Sequence, residues 1–274
     1  MEFKPRVLHG KLGIKQLYSE ISSEYDSSEK LFITRLMEYS EEPIVISFLE
    51  NLKAKYSLDA GTGTGRYLKR LMKISDLTIA LDISGKMISV AKSKHTGFTE
   101  KLEFIIADME YLPFRESSFN IVLSTLAINH LENITTFLKE VRRTLKGNGF
   151  FIFSTLNRTI LDAYSRKYGT PKNMVLFQTE HIAPTYIYEK GTMLNEVRIM
   201  LRSLGFRVLE NRAVGYWVLL GLLPRVVEKL LKILMRVPGK AKLIIHLDFI
   251  LGLFLHPKYA FIHVFKVLKR KCYL

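Results

Sequence analysis

Three aspartates and one run of glycines are the residues of this chain whose types and spacing could do chemistry. SLDAGTGTG (57–65) sets Gly61, Gly63 and Gly65 directly after an apolar run, with Asp59 just ahead of them. A strand that must turn into a helix within a few residues needs positive φ and close backbone approach, which glycine alone supplies cheaply, so the run reads as a nucleotide-binding turn. Its spacing is G-x-G-x-G. The dinucleotide fingerprint G-x-G-x-x-G would place its third glycine where Arg66 stands, and no G-x-x-x-x-G-K-[ST] phosphate loop closes the turn. Asp59 would repel a phosphate and suits a cofactor that carries an ammonium group. Asp82 ends the apolar LTIAL (77–81), where a carboxylate can take both hydroxyls of a ribose, and Asp108 follows LEFIIA (102–107), where it can accept from an adenine amino group. Taken singly, each acid is equally a helix cap or a solvated strand end; taken in order, all three converge on one crevice beyond the strand ends.

His130 stands in the loop after NIVLS (120–124) and is the candidate general base, since an imidazole titrates near working pH; ordering that loop is its alternative role. His181 is a second candidate, with Tyr186 and Tyr188 expected on the same wall.

These side chains need a scaffold. Apolar positions at helical spacing in LFITRLMEYS and IVISFLENL predict N-terminal helices over 12–52 that cap the site. From 56 to 155 strands and helices alternate, with helices opening near Arg66 and running over 85–95 and 133–145, which predicts a parallel sheet covered on both faces. Residues 156–190 show no clean period, carry Pro171 and Pro184, and read as a lid or substrate wall. A helix over 192–204, a strand near 207–211 and a last strand over 260–268 follow. The expected division is a helical cap (1–52), a cofactor domain (53–215 and 258–274) and an apolar, basic helical insertion (216–257).

LDAGTGTG (58–65), ALDISGKMISVAK (80–92), ADMEYLPFRESSFNIVLST (107–125), HLENITTFLKEVRRTLKGNGFFIFST (130–155) and MLRSLGFRVLE (200–210) together resemble the class I S-adenosylmethionine-dependent methyltransferases, in particular their small-molecule and quinone branch. The resemblance implies a Rossmann-like α/β sheet of parallel strands with one antiparallel strand in its edge region, and S-adenosyl-L-methionine as cofactor. It further implies that Asp59, Gly61, Gly63 and Gly65 hold the methionine end, Asp82 the ribose, Met87 the adenosine face, and Asp108 with Met109 the adenine. Ala60, Ile83 and Thr125 stand alongside them, and Tyr25 or Tyr18 would cover the cofactor. No N-P-P-[YF] tetrapeptide occupies 124–131, which reads STLAINHL, so amino-group methylation by that device is disfavoured.

With 274 residues, 48% hydrophobic and 24% charged, the chain can bury the core of one moderately large domain. The lone Cys272 excludes an intramolecular disulfide framework and a cysteine metal cluster, so no metal is expected and a reducing cytoplasm is the expected setting. A net charge of +15 invites an anionic partner, and its cations gather at 139–146, 225–242 and 266–271. Residues 216–257 are too apolar for a solvent loop, yet too interrupted for the ~20 residues that a spanning helix needs. Within them VVEKLLKILMRV sets Leu and Ile against Lys and Arg, which suits a peripheral helix on anionic lipid at the inner face of a membrane; a packed cap or dimer surface is the alternative. The expected activity is methyl transfer to oxygen or carbon of a lipophilic small molecule, quinone-like or isoprenoid-like. RNA methylation is the second reading, and a cofactor-binding partner without turnover the third. The oligomeric state stays open.

Overall fold

Strands from the middle of the chain, apolar on both sides, are stacked side by side and covered by amphipathic helices. The computed structural model describes residues 5–27, 31–97, 100–179, 181–221 and 240–270. The chain opens with β1 (Arg6–Leu8), α1 (Gly10–Ile21) and α2 (Phe32–Leu49). Then come β2 (Ala54–Ala60), α3 (Leu68–Ile74), β3 (Ser75–Asp82), α4 (Gly85–Lys94), β4 (Leu102–Ile106), β5 (Phe119–Ser124), α5 (Ile134–Thr144) and β6 (Leu145–Leu156). The remainder is α6 (Arg158–Tyr168), β7 (Met174–Phe177), β8 (Thr185–Tyr188), α7 (Leu194–Ser203), β9 (Phe206–Val214), α8 (Val218–Gly221), α9 (Lys240–Phe254) and β10 (Ile262–Lys269).

Seven strands form the main sheet in the order β4-β3-β2-β5-β6-β10-β9. β2 to β6 run parallel, and β10 lies antiparallel to both of its neighbours. Side-chain alternation divides the core into two layers. Ile121, Leu123, Ile152 and Val264 face Val45 and Phe48 of α2 on one side. Val122, Phe151, Phe153 and Phe265 face Phe137, Leu138 and Val141 of α5 on the other. Phe153 stacks between Phe151 and Phe265 at centroid distances of 4.5 and 4.9 Å. α5 starts where it does because the Asn133 side chain accepts from the Thr135 and Thr136 N–H groups at 3.0 and 3.2 Å, satisfying donors that the first helical turn leaves open. Ser84 caps α4 in the same way through the Met87 N–H at 3.3 Å.

Residues 156–190, read as a lid or substrate wall without a clean period, hold a helix and two strands. Asn157 caps α6 by accepting from the Thr159 N–H at 3.0 Å, and Gly169, left-handed at φ +66°, ends it. After it, β7 and β8 form a hairpin, and β1 pairs in parallel with β8, giving a second sheet in the order β1-β8-β7. This small sheet and α1 bury Ile14, Leu17, Ile21, Phe177 and Ile187 against Met87 of α4. It forms a roof over one edge of the main sheet. Strand alternation also corrects the expectation for Tyr186 and Tyr188: the buried residues of β8 are Thr185 and Ile187, and the two tyrosines take the opposite face.

At the far end Asp248 of α9 is buried and accepts from the Gly215 and Trp217 N–H groups at 2.7 and 3.3 Å, which fixes the helix to the domain. Leu243, Phe249, Ile250, Leu253 and Phe254 on the same helix are exposed. The amphipathic VVEKLLKILMRV segment (226–237) lies outside the described residues. Among the described residues no helix is long and apolar enough to cross a membrane.

Candidate active site

The C-terminal ends of β2, β3, β4 and β5 lie side by side at one edge of the main sheet, and a cleft of about 1030 Å³ opens beyond them under the roof. That is the place where open α/β sheets bind ligands. Asp59, Gly61 and Gly63 line it from the end of β2, Asp82 and Ile83 from β3, Asp108 and Met109 from β4, and Thr125 from β5. His130, Met87, Tyr18 and Tyr25 complete the wall among the residues expected from sequence. Ala60 and Gly65 stand apart from it. Ala60 is buried within β2, and Gly65 packs toward Leu68 and Ala91. His181 and Tyr186 do not line the cleft either; the His181 N–H donates to Thr179.

The glycine turn is held by its own backbone. Gly61 and Thr62 N–H both donate to the Leu81 carbonyl, at 2.8 and 2.9 Å. Gly61 has φ +77°, and a Cβ there would sit 2.5 Å from Cβ of Ala127. Asp82 ties the turn to β3: Oδ2 accepts from the Gly63 N–H at 2.9 Å and Oδ1 from the Ser84 N–H at 2.8 Å. Burial raises the Asp82 carboxyl above the usual carboxylate range, with these backbone donors opposing. Burial pushes Asp59 up to about 7, against the pull of the Thr62 hydroxyl, which donates to it at 2.8 Å.

Residues that motif reasoning passed over also reach the cleft, notably Lys11, Asp26, Glu38 and Arg66. Lys11 donates to Asp108 at 2.6 Å and approaches Glu110 to 2.5 Å, so α1 is tied to the end of β4. Asp26 takes the Thr64 hydroxyl at 3.0 Å and pairs with Lys94. These contacts fasten the N-terminal helices over the glycine turn. Only the apolar spacing of LFITRLMEYS and IVISFLENL, largely within α2, was legible beforehand; charges scattered through a helix carry no spacing signal.

His130 has two hydrogen-bond partners. Its Nδ1 lies 3.1 Å from the Tyr188 carbonyl, which can only accept, so the ring proton resides there. Nε2 therefore accepts from the Tyr18 hydroxyl at 2.8 Å. Glu189, buried and raised above the usual carboxylate range by that burial, stands 4.0 Å from Nε2. Burial also holds the Tyr18 phenol well above its ordinary value, so it enters the pair as a neutral donor.

Residues 58–153 match the family described as a methyltransferase domain. An uncharacterized protein of Methanocaldococcus jannaschii is 31% identical over 207 residues, which is 73% of this chain and 74% of that protein. The chain belongs to the class I S-adenosylmethionine-dependent methyltransferases. Its cofactor is S-adenosyl-L-methionine. The methyltransferase is also similar to a malonyl-[acyl-carrier protein] O-methyltransferase of a Marinomonas species, 30% identical over 54% of this chain and about half (53%) of that protein's length. A demethylmenaquinone methyltransferase of Tropheryma whipplei is 24% identical over 73% of this chain and 87% of its own. The S-adenosylmethionine-dependent methyltransferase of Mesorhizobium loti shares the fold, with a TM-score of 0.57 at 16% identity over 83% of this chain and 97% of that one.

The wall of the cleft fits the cofactor. Asp59 and Asp82 give it an acidic floor that complements a cationic ligand, and Arg66 Nη1 is buried without a hydrogen-bond partner among the described residues.

Proposed function

We propose that the methyltransferase acts on oxygen or carbon of a lipophilic small molecule of quinone-like or isoprenoid-like character. The observation that carries this reading is the Tyr18–His130 pair set in a cleft whose other walls include Ile14, Leu81, Met87, Met109, Leu126 and Leu131. When bound, S-adenosylmethionine supplies an electrophilic methyl group on a positively charged sulfur. In this reading Asp59 and the glycine turn hold its methionine end, Asp82 the ribose, and Asp108 with Met109 the adenine. The remaining task of the chain is to orient the acceptor and take one proton from it. The acceptor hydroxyl or acidic C–H gives its proton to the Tyr18 oxygen as Tyr18 passes its own to Nε2 of His130. Glu189 offsets the charge that develops on the imidazole. The cofactor, held by those residues, would supply the methyl group to the deprotonated acceptor, so no other oxidant or reductant would enter.

The test is transfer of a radiolabelled methyl group from S-adenosylmethionine into a panel of hydroxylated naphthoquinols, isoprenoid alcohols and total RNA. Label in the organic extract of the quinol or isoprenoid reactions supports the reading. Label confined to RNA overturns it.

A lipid surface is the matching source of such an acceptor. The exposed apolar side chains of α9 lie opposite Asp248, the one acid of that helix, which is turned inward. Residues 225–242 carry six cations against the single acid Glu228. Apolar contact flanked by positive charge suits an anionic bilayer, where each basic residue contributes about 1 kcal/mol. The protein is expected to sediment with phosphatidylglycerol vesicles and to remain in the supernatant with phosphatidylcholine ones. Phe249→Ser with Phe254→Ser should release it, and equal recovery with both vesicle types would remove this partner.

Asp59 makes cofactor binding pH-dependent. Its folded-state carboxyl, at about 7, lies far above the ordinary carboxylate range, so between roughly pH 4 and 7 the folded chain holds a proton that the unfolded chain has lost. Stability of the ligand-free protein from this group therefore falls as pH rises through that window. A ligand that sets its ammonium group near this carboxyl favours the ionised form and reverses the sign. S-adenosylhomocysteine affinity is expected to rise by up to about tenfold from pH 6 to pH 7.5, with proton release on binding. Titration calorimetry in buffers of different ionisation enthalpy reads both; proton uptake, or a flat profile, would contradict the assignment.

A further inference from the structure

Arg66 follows the last glycine of the turn and is held on one side only. Its Nη2 donates to Glu41 of α2 at 2.7 Å, and Glu41 is fully buried. Its Nη1 is buried and has no hydrogen-bond partner among the described residues, and the residue lines the cleft. Glu38, one helical turn before Glu41 on α2, lines the same wall and stops 3.9 Å from that Nη1. A buried guanidinium nitrogen without an acceptor is costly, since its desolvation goes uncompensated. Arg35, on the same helix, also has a buried Nη2 without a partner, yet it does not line the cleft, so position sets Arg66 apart.

The charges point the same way. Glu38, Asp59 and Arg66 line this part of the cleft, and Glu41, fully buried, takes one arm of the guanidinium. A ligand group suited to it brings one positive charge to the acids and one carboxylate to the open guanidinium arm. An α-amino acid head has both.

We infer that Arg66 and Glu38 form a clamp for the zwitterionic amino-acid head of the cofactor, Arg66 taking the carboxylate and Glu38 the ammonium. The inference rests on the cofactor reading of the cleft and goes beyond it by assigning two residues, one of them on α2, that no motif picks out. Arg66 is oriented for the task by Glu41 and by the Tyr67 ring, whose centroid lies 4.7 Å from the guanidinium carbon. The clamp also joins two parts of the chain, because the head group would bridge the glycine turn and the N-terminal helices.

The test compares two ligands that differ in this head alone. S-adenosylhomocysteine carries it, and 5′-deoxy-5′-methylthioadenosine keeps the nucleoside without it. Titration calorimetry on the full chain should show Glu38→Gln and Arg66→Lys weakening the first by roughly 10- to 100-fold, the range for a charged hydrogen bond, while the second changes by less than about twofold. Glu38→Gln removes no partner of Glu41, so it tests the clamp even where Arg66→Lys fails to fold, and melting of the ligand-free variants reports folding separately. Parallel losses for both ligands would overturn the clamp and make Arg66 a support of the turn. Unchanged affinity for both would overturn it as well. A wild-type chain that binds methylthioadenosine as tightly as S-adenosylhomocysteine removes the clamp but keeps the cofactor site, whereas one that binds neither removes the site.

Discussion

Replacing Asp82 by alanine is expected to abolish measurable binding of S-adenosylhomocysteine while the chain stays folded. The carboxylate accepts from the Gly63 and Ser84 N–H groups, so its loss unties Gly63 from β3, leaving the turn held there only through the Leu81 carbonyl, and deprives α4 of the link at its first turn. Hydrogen bonds to a charged group are worth roughly 1.5–3 kcal/mol each, and two of them exceed a 100-fold change in affinity before any contact with the ligand is counted. Gly61→Arg should reach the same end by another route. Its φ of +77° strains any side chain, and the first carbon added would meet Ala127 at 2.5 Å. The ladders of β3 to β2 and β4 use backbone groups that neither change touches, so the secondary structure should persist by circular dichroism. Calorimetric affinity within threefold of wild type for either variant would refute the site.

His130→Ala carries the second large effect, and it should fall on turnover. Removing a general base typically costs 10²–10⁴-fold, and here it also leaves the Tyr18 hydroxyl without its acceptor. Tyr18→Phe should cost about as much, because the two groups move one proton together. The double variant should then be little worse than either single one, the non-additivity expected of residues that act as a unit. S-adenosylhomocysteine affinity should shift by only a few-fold, since His130 is assigned to the acceptor. Steady-state rates with the best acceptor, set beside calorimetric affinities, make the comparison. Full activity in His130→Ala would reduce the residue to a tie between its loop and β8 through the Tyr188 carbonyl.

The main sheet was legible because its strands are buried on both faces and its helices carry clear periods and caps. LTIAL and NIVLS lie within the strands β3 and β5, and Asn133 precedes α5 as a cap residue should. The carboxylates were found because strand ends point them at one crevice. The roof was illegible for opposite reasons. β1 has three residues, and β7 and β8 have four each, too few to show alternation, and their pairing joins distant parts of the chain. α6 did leave a signal, Asn157 ahead of an amphipathic stretch and Gly169 after it, although Pro171 and Pro184 drew the whole segment toward a loop reading. Arg66 was noticed only as an obstacle to a pyrophosphate. Its anchoring on Glu41 depends on how α2 packs, which spacing along the chain does not encode.

The parallel pairing of β1 with β8 joins residues 179 positions apart. Contacts so remote are slow to form, because the intervening chain must be ordered before they offset the entropy of closing it. On the ribosome, the nascent polypeptide therefore completes β2 to β5, and with them the acidic floor, while its first residues still hang free; the enclosure waits for residue 188 to emerge. In the finished protein the same segment is the cooperative unit least costly to release, being three residues of strand and a small satellite core rather than a seven-stranded sheet. Product release is therefore expected to follow the loosening of β1 and α1, once the Lys11 pairs with Asp108 and Glu110 break, with no hinge needed in the main sheet.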